Sequence, residues 1–362
     1  MKKLLLTTAI VSSALFAGSA IAQTTITGNL DIQFKALSAE GTANSGAKHQ
    51  SQRGFGRESQ INIQNKGKLN NGMDYAAGFS LEFDGTEDKT PSATNENTYI
   101  DFISGNTTIS ISQDHFQNSH RTAANFVGLI AEDITNTNTK TSTSVAETDI
   151  FLDAVGANPY AHYGIGILQN IPNIGSLSAL YVPNNGPSQS SGAVAVGDDD
   201  GLFDSDEESA YEVGFVGGLG VKGLNAHAFY NKQKVSNQAS SGTNRDIKGT
   251  NVGANYNFGQ VTVGYNNKKT TFTTVNSETK QHEYAVAYAI SPTLTLGANY
   301  TKAKNNSVAA ATDAESKSIA LGYNLGPVAL TAQYAMTENV TGAGANAADD
   351  YDVAIVRVST KF

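Results

Sequence analysis

The sequence predicts an all-β fold, a transmembrane antiparallel up-and-down β-barrel of sixteen strands. Three observations lead there. Apolar and polar residues alternate along most of the chain, the connectors between alternating runs are by turns short and long, and the chain opens on an export signal without a single cysteine. A strand sends successive side chains to opposite faces, so alternation means that the two faces meet different surroundings. The clearest case is 251–265. Val252, Ala254, Tyr256 and Phe258 share one face and Asn251, Gly253, Asn255 and Asn257 the other; after Gly259 and Gln260 the pattern resumes with Val261, Val263 and Tyr265.

At the N-terminus, Lys2 and Lys3 precede the apolar run 4–16, and Ala20-Ile21-Ala22 supplies small residues around a cleavage point. Residues 1–22 therefore read as a secretory signal peptide that is cleaved, and 23–362 as a single barrel domain. No later apolar run approaches the roughly 18–20 residues of a spanning helix. The mean hydropathy of −0.28 does not argue against a membrane, because alternation averages out along a strand. Removing Lys2 and Lys3 from 24 Lys and Arg leaves 22 against 33 Asp and Glu, a net charge of −11. That acidity excludes nucleic acid as a partner, since phosphate binding needs a basic surface. With no cysteine to cross-link an exported chain, the closed hydrogen-bond ladder must hold it. Trp is absent, so Tyr and Phe, 15 of each, must supply any aromatic belt at the membrane boundaries.

In order, the predicted strands are 24–37, 54–66, 73–84, 97–104, 107–114, 160–169, 175–183, 209–217, 222–234, 246–258, 261–272, 279–290, 293–304, 314–325, 327–338 and 350–362. In the first, Ile26, Leu30, Ile32 and Phe34 oppose Thr27, Asn29, Asp31, Gln33 and Lys35. In the second, Ile61 and Ile63 oppose Gln60, Asn62 and Gln64, and in the third Tyr75, Ala77, Phe79, Leu81 and Phe83 oppose Ala76, Gly78, Ser80 and Glu82. Later strands repeat the pattern with Tyr284, Val286, Tyr288 and Ile290, then Ile319, Leu321, Tyr323 and Leu325, then Val328, Leu330, Ala332 and Tyr334. The last strand is mixed: even positions outward place Val356, Val358 and Phe362 toward lipid and Arg357 and Lys361 inside, but turn Val353 and Ile355 inward as well.

The tight connectors include Gly105-Asn106, Gly259-Gln260, Ser291-Pro292 and Gly326. The long ones are about 38–53, 85–96, 115–159, 184–208, 235–245, 305–313 and 339–349. Short periplasmic turns on one rim and long external loops on the other are the arrangement of an outer-membrane barrel. An exported soluble β-sandwich or adhesin is the alternative; it would use the apolar face as its core.

Ser59-Gln60-Ile61-Asn62-Ile63 leading to Leu69-Asn70-Asn71-Gly72-Met73, the hairpin Ile100-Asp101-Phe102-Ile103-Ser104-Gly105-Asn106-Thr107, the stretch 253–262 and the final Lys361-Phe362 resemble the Gram-negative general porins, closest to the alphaproteobacterial type. The resemblance runs the length of the mature chain. It implies a homotrimeric sixteen-stranded barrel in the outer membrane, among lipid and lipopolysaccharide, passing small hydrophilic solutes and ions by passive diffusion without a cofactor. It further implies that the third long loop, about 113–159, folds into the lumen as a constriction, and that Phe362 is read by the barrel-assembly machinery. Two departures stand out: Gln60 occupies a position where many general porins carry an arginine, and Ser112-Gln113 replaces a common Gly-Arg.

Selectivity in a pore follows from its narrowest width and the charges lining it. The expected lining and constriction residues are Lys35, Gln60, Glu82, Arg121, Glu132, Asp133 and Arg357, with Glu283 on the wall and Arg53 and Arg57 near the mouth. Glu147, Asp149 and Asp153 add to the loop's acids, against Lys140, His115, His120 and Arg121. Acids outnumber bases, which predicts a weak cation preference. A solute-specific channel is the nearest alternative, but neither an aromatic slide nor a dense Arg/Lys cluster is present. The six histidines form no Ser-His or Asp-His pairing, and His162 and His227 merely have inward parity, so no enzyme is expected. The segment 198–208 packs seven carboxylates into eleven residues. Its spacing is not that of a calcium loop, and a solvated acidic external loop is expected, with no metal site.

Overall fold

In a computed structural model of the chain, residues 22–40, 52–85, 93–119, 159, 162–183, 209–235, 245–272, 277–305, 313–339 and 350–362 are described. The predicted export signal lies outside them except for Ala22, and β1 opens at Gln23. So do Arg121, Glu132 and Asp133, and the acidic segment 198–208.

Alternation becomes sixteen strands: β1 (Gln23–Glu40), β2 (Gln52–Lys68), β3 (Asp74–Gly85), β4 (Ala93–Ser104), β5 (Thr107–Ser112), β6 (Gly164–Ile171), β7 (Gly175–Val182), β8 (Ala210–Gly217), β9 (Leu224–Val235), β10 (Arg245–Asn257), β11 (Val261–Phe272), β12 (Ser277–Ala289), β13 (Leu294–Asn305), β14 (Ala314–Asn324), β15 (Val328–Glu338) and β16 (Asp350–Lys361). Each strand pairs antiparallel with its sequence neighbour, and β1 pairs with β16, from Asn29 opposite Lys361 to Glu40 opposite Asp350, so the sheet closes into a barrel. Every predicted strand is present, its ends displaced by at most a few residues. Closure leaves no edge with unpaired backbone groups, which is what the inside of a bilayer demands.

Burial is inverted relative to a soluble protein. Along β10, Asn251 is fully buried while its neighbour Val252 is 52% exposed, and in β14 Ile319 is 59% exposed beside a nearly buried Ser318. A soluble sandwich of these strands would bury Val252 and Ile319. With the apolar face outside and the polar face inside, the outer surface suits hydrocarbon.

The two ambiguous residues of the last strand, Val353 and Ile355, are indeed inside and buried, with Ala335 opposite Val353. One bulge breaks the register: between Gly78 and Ser80 of β3, which face Tyr99 and Glu96, β4 carries one extra residue, and Asn97 there has φ of 50°. The bulge keeps both Glu96 and Tyr99 on the lumen side. Arg53 and Arg57 correct the sequence reading. They share the outward face with the exposed Phe55, opposite Ala36 and Ile32, and do not line the mouth.

Candidate pore and its inward loop

After β5 the chain turns into the barrel. His115 stacks on Tyr99 with ring centroids 3.5 Å apart, its Nε2 lying 3.5 Å from Asp101 Oδ2. Phe116 is buried against Leu180, Val182, Ala210 and Leu168, an apolar patch on the lumen face of β6–β8. Its ring lies against Gly166, where an added Cβ would come within 2.6 Å, so only glycine admits it there. Ser176 Oγ donates to Gln117 Oε1 at 2.8 Å.

The turn ends on a buried carboxylate. Glu212 of β8 accepts from Ser119 N at 2.9 Å, from Ser119 Oγ at 2.5 Å and from Asn231 Nδ2 at 3.0 Å. Asn251 Nδ2 donates to Ser119 O at 3.3 Å. From there a polar network runs around the wall. His227 Nε2 lies 2.9 Å from Asn251 Oδ1 and 3.1 Å from Asn266 Oδ1, and Asn266 Nδ2 donates to Glu283 Oε2 at 2.9 Å. Glu283 also pairs with Lys268 at 2.9 Å. Lys268 and Glu283 persist this deep because they are paired, and Glu212 because it accepts three hydrogen bonds. The root of the loop is thereby fixed across β8–β12.

Opposite this wall, a lumenal cavity of about 740 Å³ lies between β1–β4 and the loop root. Glu58, Gln60, Glu82, Glu96, Asp114 and His115 line it together with Tyr99, two apolar residues and several smaller polar ones. Gln60 and Glu82 face each other across β2 and β3. Arg357 is also on the lumen side but at the closing seam, its guanidinium 2.8 Å from Asp31 Oδ2. Lys35 shares the inward parity of Asp31 and Gln33, opposite Ile355. Of the predicted residues, the structure brings Gln60 and Glu82 together, sets Lys35 and Arg357 on the neighbouring seam, and adds Glu58, Glu96 and Asp114. Sequence reasoning missed Glu212 and Ser119 as partners; the inward parity of Glu212 beside Ala210 and Gly214 was the available signal.

Phe362 lies on the outside, 71% exposed, with its ring over Gly28. The two residues exchange backbone hydrogen bonds, Gly28 N to Phe362 O at 2.8 Å and Phe362 N to Gly28 O at 2.9 Å. A Cβ on Gly28 would stand 2.5 Å from the ring.

The fold is shared with solved porins. An anion-selective porin from Comamonas acidovorans superposes with a TM-score of 0.66 at 13% identity, covering 94% of this chain and all of that one. Salmonella typhi OmpF, in a complex with daunomycin, gives 0.63 at 13% identity over 94% and 98%, and a mutant of Rh. blastica porin 0.58 at 15% over 94% and 100%. No curated protein matches the chain. The sequence profile of the Gram-negative porins matches residues 7–342. The closed sixteen-strand barrel, its polar interior and that match over nearly the whole chain agree: this protein belongs to the Gram-negative porin family, the channels of the outer membrane.

Proposed function

We propose that the channel is a general diffusion pore for small hydrophilic solutes and ions that favours cations, filtered between β1–β4 and the root of the inward loop. One observation carries this reading: the described residues lining the 740 Å³ cavity include four carboxylates, Glu58, Glu82, Glu96 and Asp114, and neither Lys nor Arg. Clefts lined by one sign of charge concentrate counter-ions. Lys35, Gln60, Glu82 and Arg357 are assigned to the pore lining, and Arg121, Glu132 and Asp133 to the part of the loop beyond Ser119. The test is the reversal potential across a planar bilayer in a potassium chloride gradient. Cation preference is expected, reduced about twofold by Glu82→Gln, the effect of one partly screened charge several ångströms from the ion path. Anion preference in the unmodified protein would overturn the reading.

The assembly is assigned as a homotrimer; a trimer form of OmpT from Vibrio cholerae superposes with a TM-score of 0.58. Three-step closure in single-channel records tests it. Cleavage after Ala22 is assigned to export, supported by the start of β1 at Gln23, and the intact mass of the mature protein checks it. Phe362 is assigned to recognition by the assembly machinery, as an exposed aromatic at the end of the closing strand.

A further inference from the structure

Beneath the loop root, on the lumen face of β4 and β5, lie three buried oxygens that no protein group satisfies. Ser110 and Ser112 alternate with the exposed Ile109 and Ile111, point inward, and are 1% and 2% exposed. Neither hydroxyl has a hydrogen-bond partner, and neither does Oδ1 of Asp101. The other oxygen of that carboxylate has one ion pair among the described residues, with His115 Nε2 at 3.5 Å. That is too long for a hydrogen bond. The Asp101 side chain is only 15% exposed.

Register brings the three oxygens together. Asp101 stands directly opposite Ser110, and Ser112 follows two residues along on the same face. Facing residues lie about 5 Å apart and alternate residues about 7 Å, so side chains of this length converge on one small ion. The loop root forms the roof. The ring of Phe116 covers Gly166, which stands opposite Ser110 on β6, and the ring of His115 covers Tyr99, which stands opposite Ser112 on β4. Tyr99 and His115 line the carboxylate-rich cavity, but Asp101, Ser110 and Ser112 do not. The two sites are separate.

Buried polar groups elsewhere on the lumen wall find partners. Ser80 Oγ donates to Asn62 Oδ1 at 2.8 Å, Ser316 and Thr337 pair at 3.1 Å, and Glu212 gathers three donors. A buried hydroxyl without a partner costs about 1–3 kcal/mol, and a carboxylate more. Three such groups aimed at one place call for a ligand. A single water meets the hydroxyls but leaves the charge of Asp101 without a counter-charge. A cation meets all three, because each hydroxyl turns a lone pair toward it.

We propose that Asp101, Ser110 and Ser112 hold an alkali cation under the loop root. The donors are all hard oxygens, which suit hard cations over transition metals. One carboxylate and two neutral hydroxyls balance a single positive charge, whereas a divalent ion would keep an uncompensated charge in a buried site. The ion secures the first residues of the loop root, as Glu212 secures the last. Its occupancy is independent of which ions the cavity favours.

The full-length mature protein in detergent, melted in potassium chloride, sodium chloride and choline chloride at equal ionic strength, tests this. Both alkali salts are expected to raise the melting temperature above that in choline, saturably, since choline screens equally but is too large for the pocket. Asp101→Asn keeps the shape and should abolish the difference between salts. Ser110→Ala with Ser112→Ala should raise the half-saturating alkali concentration about tenfold or more, the worth of one polar contact to a charge. Crystals grown in rubidium chloride should show anomalous density in contact with Asp101 Oδ1. Reversal potentials from the same preparations read the ion preference separately, so either claim can fail alone. If Asp101→Asn does not insert, the serine double variant and the salt comparison on the unmodified protein decide. Equal melting in all three salts, alkali stabilisation that survives Asp101→Asn, or a pocket without anomalous density that holds only water would each overturn the proposal.

Discussion

Glu212 is a buried carboxylate that accepts three hydrogen bonds and holds the loop root by a backbone N–H and a hydroxyl. Glu212→Ala strands all three donors, at a cost of about 3 kcal/mol or more. The expected outcome is a lower melting temperature and noisy, fluctuating single-channel current, because Ser119 is then released from the wall. Glu212→Gln keeps the shape but turns an amide N–H₂ toward a donor, and should fall between the two. A second residue acts through protonation. His162 lies just before β6, outside the spanning strands, and burial pushes its imidazole below the ordinary value of 6.5. The unfolded chain therefore binds this proton more readily, so stability falls as pH drops below about 6.5 and continues to fall until the folded imidazole also protonates. Thermal melts between about pH 5 and pH 8 should show this slope, and His162→Gln should flatten it.

The seam between β1 and β16 is the element on which closure depends. Gly28 is open to the ring of Phe362 because it has no side chain, while on the lumen side Arg357 and Asp31 bridge the same two strands. Gly28→Val must displace the ring and also meet Gln60 O, which would stand 2.7 Å from a Cβ. The variant should assemble poorly, seen as loss of the heat-modifiable folded band on a semi-native gel, whereas Asp31→Asn should assemble normally. The loop root behaves as an element too. Phe116→Ala removes the anchor from a patch of Leu180, Val182 and Ala210, costs about 3–5 kcal/mol, and should raise conductance if the loop then leaves the lumen.

At the scale of the molecule, the barrel does not choose which ions it passes. The Comamonas acidovorans porin, described as anion-selective, shares this fold with a TM-score of 0.66, yet the cavity here is walled by Glu58, Glu82, Glu96 and Asp114. On the proposed reading selectivity resides in these four lumen charges, and reversing two of them should cancel it. Glu58→Lys with Glu82→Lys is expected to give a channel without cation preference whose conductance stays within about twofold of the original; a preference that does not move would place the filter elsewhere.

The sequence by itself determined the strands, their two faces and their order, because a period of two is written locally and a slip of one residue would expose every polar side chain to lipid. Even the inward turn of Val353 and Ile355 was legible from parity. Arg53 and Arg57 were misplaced by their nearness to a loop, although the Phe55 between them marks the outward face. Only the tertiary structure decided where the inward loop lands: Ser119 meets Glu212 across 93 residues of chain, and Glu212 reads as one more lumen acid until that contact forms. The apolar patch under Phe116 was likewise invisible, since it depends on register between strands, and register is a property of pairs that no single strand contains.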